Sequence, residues 1–182
     1  MQPDGGWGWS NAGFIRDGDE SLLVDTLFDE PLTAKMLDAI EHATGIARGR
    51  IGRLVNTHAN GDHCRGNALV PSAEVIASAA ATAEMSDLPP EALADMKIRG
   101  RAGTAGEAGD TLAWVPGDRT VFTGDLLFAD RTPIMWARPV ATWLAACDRI
   151  RALGAEWIVP GHGALADAGF RSRLRHRTGH LP

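Results

Sequence analysis

Three times along this chain a short apolar run ends in a glycine-containing turn whose side chains are of the kind that divalent metals bind. The first is Leu54-Val55 running into Asn56-Thr57-His58-Ala59-Asn60-Gly61-Asp62-His63. The second is Phe122-Thr123-Gly124-Asp125, and the third Val159-Pro160-Gly161-His162-Gly163. Glycine lets backbone approach an ion closely, and imidazole with carboxylate is a donor set that suits zinc. A strand that stops at such a turn projects those side chains from a sheet edge, where a substrate can reach them. Any one turn alone is a weak signal, since a polar loop with incidental histidines is the better explanation of an isolated His-x4-His. Together, in this order, they demand a sheet that brings three distant strand ends to one place.

The intervening segments supply such a sheet. A strand reaching Ile15, a turn at Asp17-Gly18-Asp19 and a strand over 21–26 predict a hairpin. Pro31 opens a helix over 32–44, with Met36, Leu37 and Ile40 at helical spacing and Gly45 past its end. Residues 53–56 form the buried strand that delivers the first turn. A strand over 73–78, a helix over 79–85, a helix over 89–98 and a Gly/Ala-rich loop over 100–109 follow. Strands over 111–115 and 120–123 flank the turn Pro116-Gly117-Asp118-Arg119. The last helix, 139–153, puts Trp143, Cys147, Ile150 and Leu153 on one face, and a strand over 156–159 ends at the third turn. This alternation argues for an α/β fold with sheet covered by helices.

With 182 residues, 45% of them hydrophobic, the chain can bury one core, so 1–182 reads as a single domain. A net charge of −5 gives no general attraction to nucleic acid or anionic membranes. No apolar run reaches membrane-spanning length, and no signal-peptide pattern follows Met1. Cys64 and Cys147 have no metal-motif spacing and do not imply a disulfide framework, which suits the reducing cytoplasm. The basic stretch within 168–182 reads as a solvated tail rather than a nucleic-acid arm.

Thr57-His58-Ala59-Asn60-Gly61-Asp62-His63 resembles the His-x-His-x-Asp-His signature of the metallo-β-lactamase fold superfamily. Leu22-Leu23-Val24-Asp25-Thr26 is similar to the strand ahead of that signature, Thr123-Gly124-Asp125 to the bridging-carboxylate motif, and Val159-Pro160-Gly161-His162-Gly163 to the last-histidine motif. The resemblance implies an αβ/βα sandwich with metal at one edge, and hydrolysis of esters, lactones, thioesters, amides or phosphodiesters. Asn60-Gly61-Asp62-His63-Cys64 with Gly66-Asn67, and Thr132-Pro133-Ile134-Met135-Trp136, resemble hydrolase-like proteins of actinobacterial type. Some of those relatives act as cyclases or thioesterases in aromatic polyketide pathways.

Two departures shape the expectation. Metal site one of the family uses two signature histidines and a third from a later turn. Here Asn60 stands in the second place, and Gly103 or Gly106 in the third. Site one therefore keeps only His58, as a relic, a supporting group or a proton shuttle, and is expected to be empty or weak. Site two is complete as Asp62, His63, Asp125 and His162, for one zinc per chain, with manganese or iron as substitutes. The second departure is length: two or more strands usual in the family have no counterpart between 98 and 111. The sandwich should therefore be trimmed in the middle, leaving a strand edge to be covered.

The expected function is a zinc hydrolase of a small ester, lactone or thioester, with Asp62 taking or delivering the proton. The alternative is a degenerate, non-catalytic member that binds a ligand or partner. Trp7, Trp9 and Trp136 could stack on a flat substrate or simply pack. Cys64 is a buried small hydrophobe or a reactive thiol, and Asp25 and Thr26 hold the metal loops by hydrogen bonds more readily than they ligate.

Overall fold

A computed structural model describes residues 9–87, 109–130 and 140–167. The helix expected over 89–98, most of the loop after it, Trp7, Trp136, Gly103, Gly106 and the tail over 168–182 lie outside the described residues.

Among the described residues, two four-stranded sheets build the fold. In the first, β1 (Gly13–Asp17) and β2 (Glu20–Val24) form the antiparallel hairpin, and β3 (Arg53–Val55) and β4 (Glu74–Ile76) continue it in parallel. In the second, β5 (Ala113–Val115) and β6 (Thr120–Phe122) are antiparallel, β7 (Trp157–Val159) runs parallel to β6, and β8 (Ala166–Asp167) closes the order antiparallel to β7.

Parallel neighbours need a crossover, and a long helix provides it between β2 and β3 and between β6 and β7. α1 (Glu30–Thr44) carries the chain from β2 to β3. Asp29 caps it by accepting from Leu32 N at 2.8 Å, and Gly45, in the left-handed region at φ 74°, ends it. Its face of Met36 and Leu37 packs on Leu23 and Leu54, which are partners in the β2–β3 register. α4 (Val140–Ala152) does the same between β6 and β7, setting Cys147 and Ile150 against the register partners Val121 and Ile158. Each fully buried aliphatic side chain of these two clusters contributes roughly 1.5–3 kcal/mol. A third helix, α3 (Ala79–Asp87), starts at Ser78, whose hydroxyl accepts from Ala81 N at 3.1 Å.

Two elements differ from expectation. The turn after β3 winds into a short helix, α2 (Gly61–Cys64), whose four residues are too few to show any periodicity in sequence. β8 has two residues and is created by its pairing with β7 alone. β4 is the outer strand of its sheet among the described residues. It is exposed throughout, Val75 at 51% and Ile76 at 43%. Among the described residues no helix is long and apolar enough to cross a membrane.

The sheets meet where Gly13 of β1 lies against Phe122 of β6, so closely that a Cβ at residue 13 would overlap the phenyl ring. This contact places the residues just before β1 beside the turn after β7. Asn11 N donates to Gly161 O at 2.7 Å, and its side-chain amide to Pro160 O at 2.9 Å and Gly163 O at 2.8 Å. Gly13→Ala should therefore cost about 1–3 kcal/mol through overpacking, read as a lowered urea midpoint. Phe122→Leu in the same chain should recover part of the loss, and an unchanged midpoint in the single variant would show that the sheets are not in contact there.

Candidate metal centre

The four parallel strands β2, β3, β6 and β7 all end at the same edge, and each ends in a residue of the centre. Such strand ends are where open α/β sheets bind their ligands. Asp25 follows β2, Thr57 and His58 follow β3, with Asp62 and His63 on α2 just beyond. Asp125 follows β6 and His162 follows β7.

Five of these side chains converge with almost no exposure: His58 2%, Asp62 6%, His63 0%, Asp125 1% and His162 2%. Asp125 Oδ1 lies 3.2 Å from both His63 Nε2 and His162 Nε2, and Asp125 Oδ2 lies 3.6 Å from His58 Nε2. Asp62 Oδ2 is 3.2 Å from His162 Nε2 and 3.7 Å from His63 Nε2. Two overlapping triplets result, His58/His63/Asp125 and Asp62/His63/His162, each with donor atoms within 4.8 Å of one another. The sequence separates His58 from the Asp62 group, whereas in space they share His63. Asn60 heads α2, its backbone carbonyl accepting from His63 N at 2.9 Å.

Among the described residues, the inward-facing atoms have no hydrogen-bond partner: His58 Nε2, His63 Nε2, His162 Nε2, Asp62 Oδ2 and both carboxylate oxygens of Asp125. Buried polar atoms are normally paired, and two buried carboxylates need a positive counterpart. Three imidazole nitrogens and two carboxylates around one point fit a divalent cation, with the chemistry of zinc.

The outward-facing atoms are held. His63 Nδ1 is 2.9 Å from Asp25 Oδ2, and His162 Nδ1 donates to Trp9 O at 3.2 Å. His58 Nδ1 is 2.9 Å from Thr57 Oγ1. Asp25, whose backbone sits in the left-handed region at φ 60°, also accepts from Thr57 N at 2.7 Å. The carbonyl of His63 accepts from Thr26 N at 2.9 Å and Asn56 Nδ2 at 3.0 Å, and Asn67 Nδ2 braces Asn56 at 2.7 Å. Asp25 and Thr26 thus hold the loops by hydrogen bonds. Ser10 donates its hydroxyl to Asp62 O, so it is committed to the backbone.

Electrostatics follow from this packing. Burial opposes charge on His162, but Asp125 and Asp62 outweigh it and raise its pKa to about 9. His58 and His63 are raised in the same way against burial, chiefly by Asp125. Burial also resists charge on Asp62 and Asp125, yet His63 above all draws both below the ordinary carboxylate range. Burial pushes the Cys64 thiol up to about 12, and its Sγ donates to Ala59 O at 3.3 Å, so it is no thiolate at neutral pH. Trp9 packs edge-on against Phe28 at 5.6 Å, with the Arg65 guanidinium 5.0 Å over the Phe28 ring. Phe128 stacks on His162 at 4.9 Å. Phe28, Phe128, Asn11 and the Asn56–Asn67 pair escape sequence reasoning, because no spacing rule links them to the histidines.

A model of the metallo-beta-lactamase superfamily matches residues 5–113 and 101–162. The chain belongs to that superfamily. Solved structures of the same fold include TMB-1, at 17% identity with a TM-score of 0.66, covering 94% of this chain and 87% of that one. FIM-1 from Pseudomonas aeruginosa, in a mono-zinc form, is 21% identical at a TM-score of 0.68, over 94% of this chain and 85% of that one. A metallo-beta-lactamase from Pontibacter korlensis is 19% identical at 0.72, over 94% and 88%. At these identities the likeness speaks for the fold, and the αβ/βα sandwich is established by it.

A pH dependence follows for the metal-free protein. His162 gains proton affinity on folding, so its contribution to stability is complete below about pH 6.5 and is lost as pH rises through about 9. Chelator-treated protein should show a urea midpoint that falls across that window. His162→Gln should flatten the fall, and a midpoint that rises instead would contradict the charge arrangement.

Proposed function

We propose that this superfamily member is a zinc-dependent hydrolase of a small ester, lactone or thioester, with Asp62, His63, Asp125 and His162 holding one ion per chain. The observation that carries this reading is the set of six buried donor atoms, from five side chains, that face one another with no hydrogen-bond partner among the described residues. Manganese or iron could replace zinc in such a nitrogen and oxygen donor set. When bound, the ion supplies Lewis-acid polarisation of a substrate carbonyl and lowers the pKa of water.

The chain's own residues account for the rest. Asp62 is the least buried of the five, and His63 keeps it ionised, so it can accept a proton from attacking water and pass it to the leaving group. His63 and His162 have their Nδ1 atoms occupied by Asp25 and by the Trp9 carbonyl, which leaves Nε2 of each for the ion. Phe128, half-buried and stacked on His162, offers an apolar surface beside the centre, compatible with an aromatic acyl group.

Metal analysis should find about one zinc per chain, falling to near none in Asp125→Ala. Hydrolysis of aryl esters, lactones or acyl thioesters should disappear with chelator and in His63→Ala, and fall by about 100- to 10,000-fold in Asp62→Asn, compared at zinc concentrations that restore occupancy of the weakened site. Two ions per chain would overturn the single-site reading. A second reading, a non-catalytic member with a structural ion, draws on Asn60 standing where the family has a histidine and on protein donors so numerous that little room is left for water. Full zinc occupancy with no hydrolysis of any of the three substrate classes would favour it.

A further inference from the structure

The Asp25 carboxylate touches both halves of the centre through one oxygen. Its Oδ2 lies 2.9 Å from His63 Nδ1 and 2.8 Å from Thr57 Oγ1, and Thr57 Oγ1 lies 2.9 Å from His58 Nδ1. A carboxylate only accepts, and a hydroxyl has a single proton to donate. The Thr57 proton therefore goes to Asp25, and toward His58 the hydroxyl must accept. His58 Nδ1 therefore carries a hydrogen, and its Nε2 is turned toward Asp125, where a bound ion would take the place of a proton.

We propose that the Thr57 hydroxyl is a positioning group that keeps His58 in the metal centre, so that a single oxygen of Asp25 orients two imidazoles. This rests on the reading of the cluster as a metal site. It gives His58 a definite place: a donor preset for the same ion, although the positions that complete site one in the family hold Asn60 and glycine. The backbone supports the arrangement. Thr57 N donates to Asp25 Oδ1, and the Thr57 carbonyl accepts from Thr111 N at 2.8 Å, so the residue is fixed on both sides without its hydroxyl. Gly124 leaves the space that the Thr57 side chain occupies, since a Cβ there would collide with Oγ1.

Thr57→Val removes the hydroxyl at nearly constant volume and leaves the Asp25–His63 contact in place. In zinc-loaded wild type, long-range proton–nitrogen spectra should show His58 with hydrogen on Nδ1, protected from exchange. Thr57→Val should lose that protected proton while His63 keeps its own, and zinc affinity, read by chelator competition, should fall about 10- to 100-fold. Thr57→Ser should restore both. A Thr57→Val protein with unchanged His58 signal and zinc affinity overturns the inference, whereas failure of the wild type to bind zinc overturns the metal reading beneath it. Should Thr57→Val not fold, the wild-type spectrum decides, because hydrogen on His58 Nε2 instead of Nδ1 is incompatible with the proposed chain.

Discussion

Two carboxylates buried side by side are the constraint on which this structure turns. Asp62 and Asp125 have at most 6% exposure between three imidazoles that are equally buried. Left alone, such a pair would destabilise any fold by several kcal/mol per ion. The protein tolerates it because the surrounding atoms are prearranged for a positive charge, either protons shared among the histidines or a cation. What surrounds the five side chains makes sense in that light. The left-handed backbone at Asp25, the carbonyl of Trp9 and the amides of Asn56 and Asn67 all fix orientation rather than add apolar burial.

The two hydrophobic clusters serve that arrangement from a distance. One joins β2 and β3 to α1, the other β6 and β7 to α4, and neither includes a residue of the centre. Each cluster aligns one pair of parallel strands, so their carboxyl ends fall level. The centre forms in the seam between the two halves, stitched by Asn11 and by the contact of Gly13 with Phe122. Stability and chemistry are thus physically separate here, sharing only the strand ends.

Much of this was legible beforehand because apolar runs and glycine turns obey local rules. The hairpin, α1 with Pro31 at its start and Gly45 past its end, and the strands leading to His58, Asp125 and His162 follow from spacing and turn chemistry. Where the sequence reading stopped was direction. Asn60 and the glycines at 103 and 106 made His58 look stranded, since spacing says which residues lie near a strand end and not where an imidazole nitrogen points. The 3.6 Å approach of His58 to Asp125 depends on Thr57 and Asp25, 32 residues apart. Asn11 is further still, 149 residues from the Pro160 carbonyl it holds. No local pattern encodes such pairs.

That last separation sets an order of events during biosynthesis. Residues 9–11 leave the ribosome early, yet the carbonyls at Pro160 and Gly163, and the imidazole that Trp9 receives, are made some 150 residues later. Contacts of such long range form late, after the loop between them has closed. The first hydrophobic layer, which ends at Val70, can therefore take shape around an incomplete pocket, whereas the second draws on Ile158 and Ala166 and forms together with His162 and its clasp. The five side chains of the centre can share one site only after the segment that carries His162 has joined the strand ends that carry His58, His63 and Asp125.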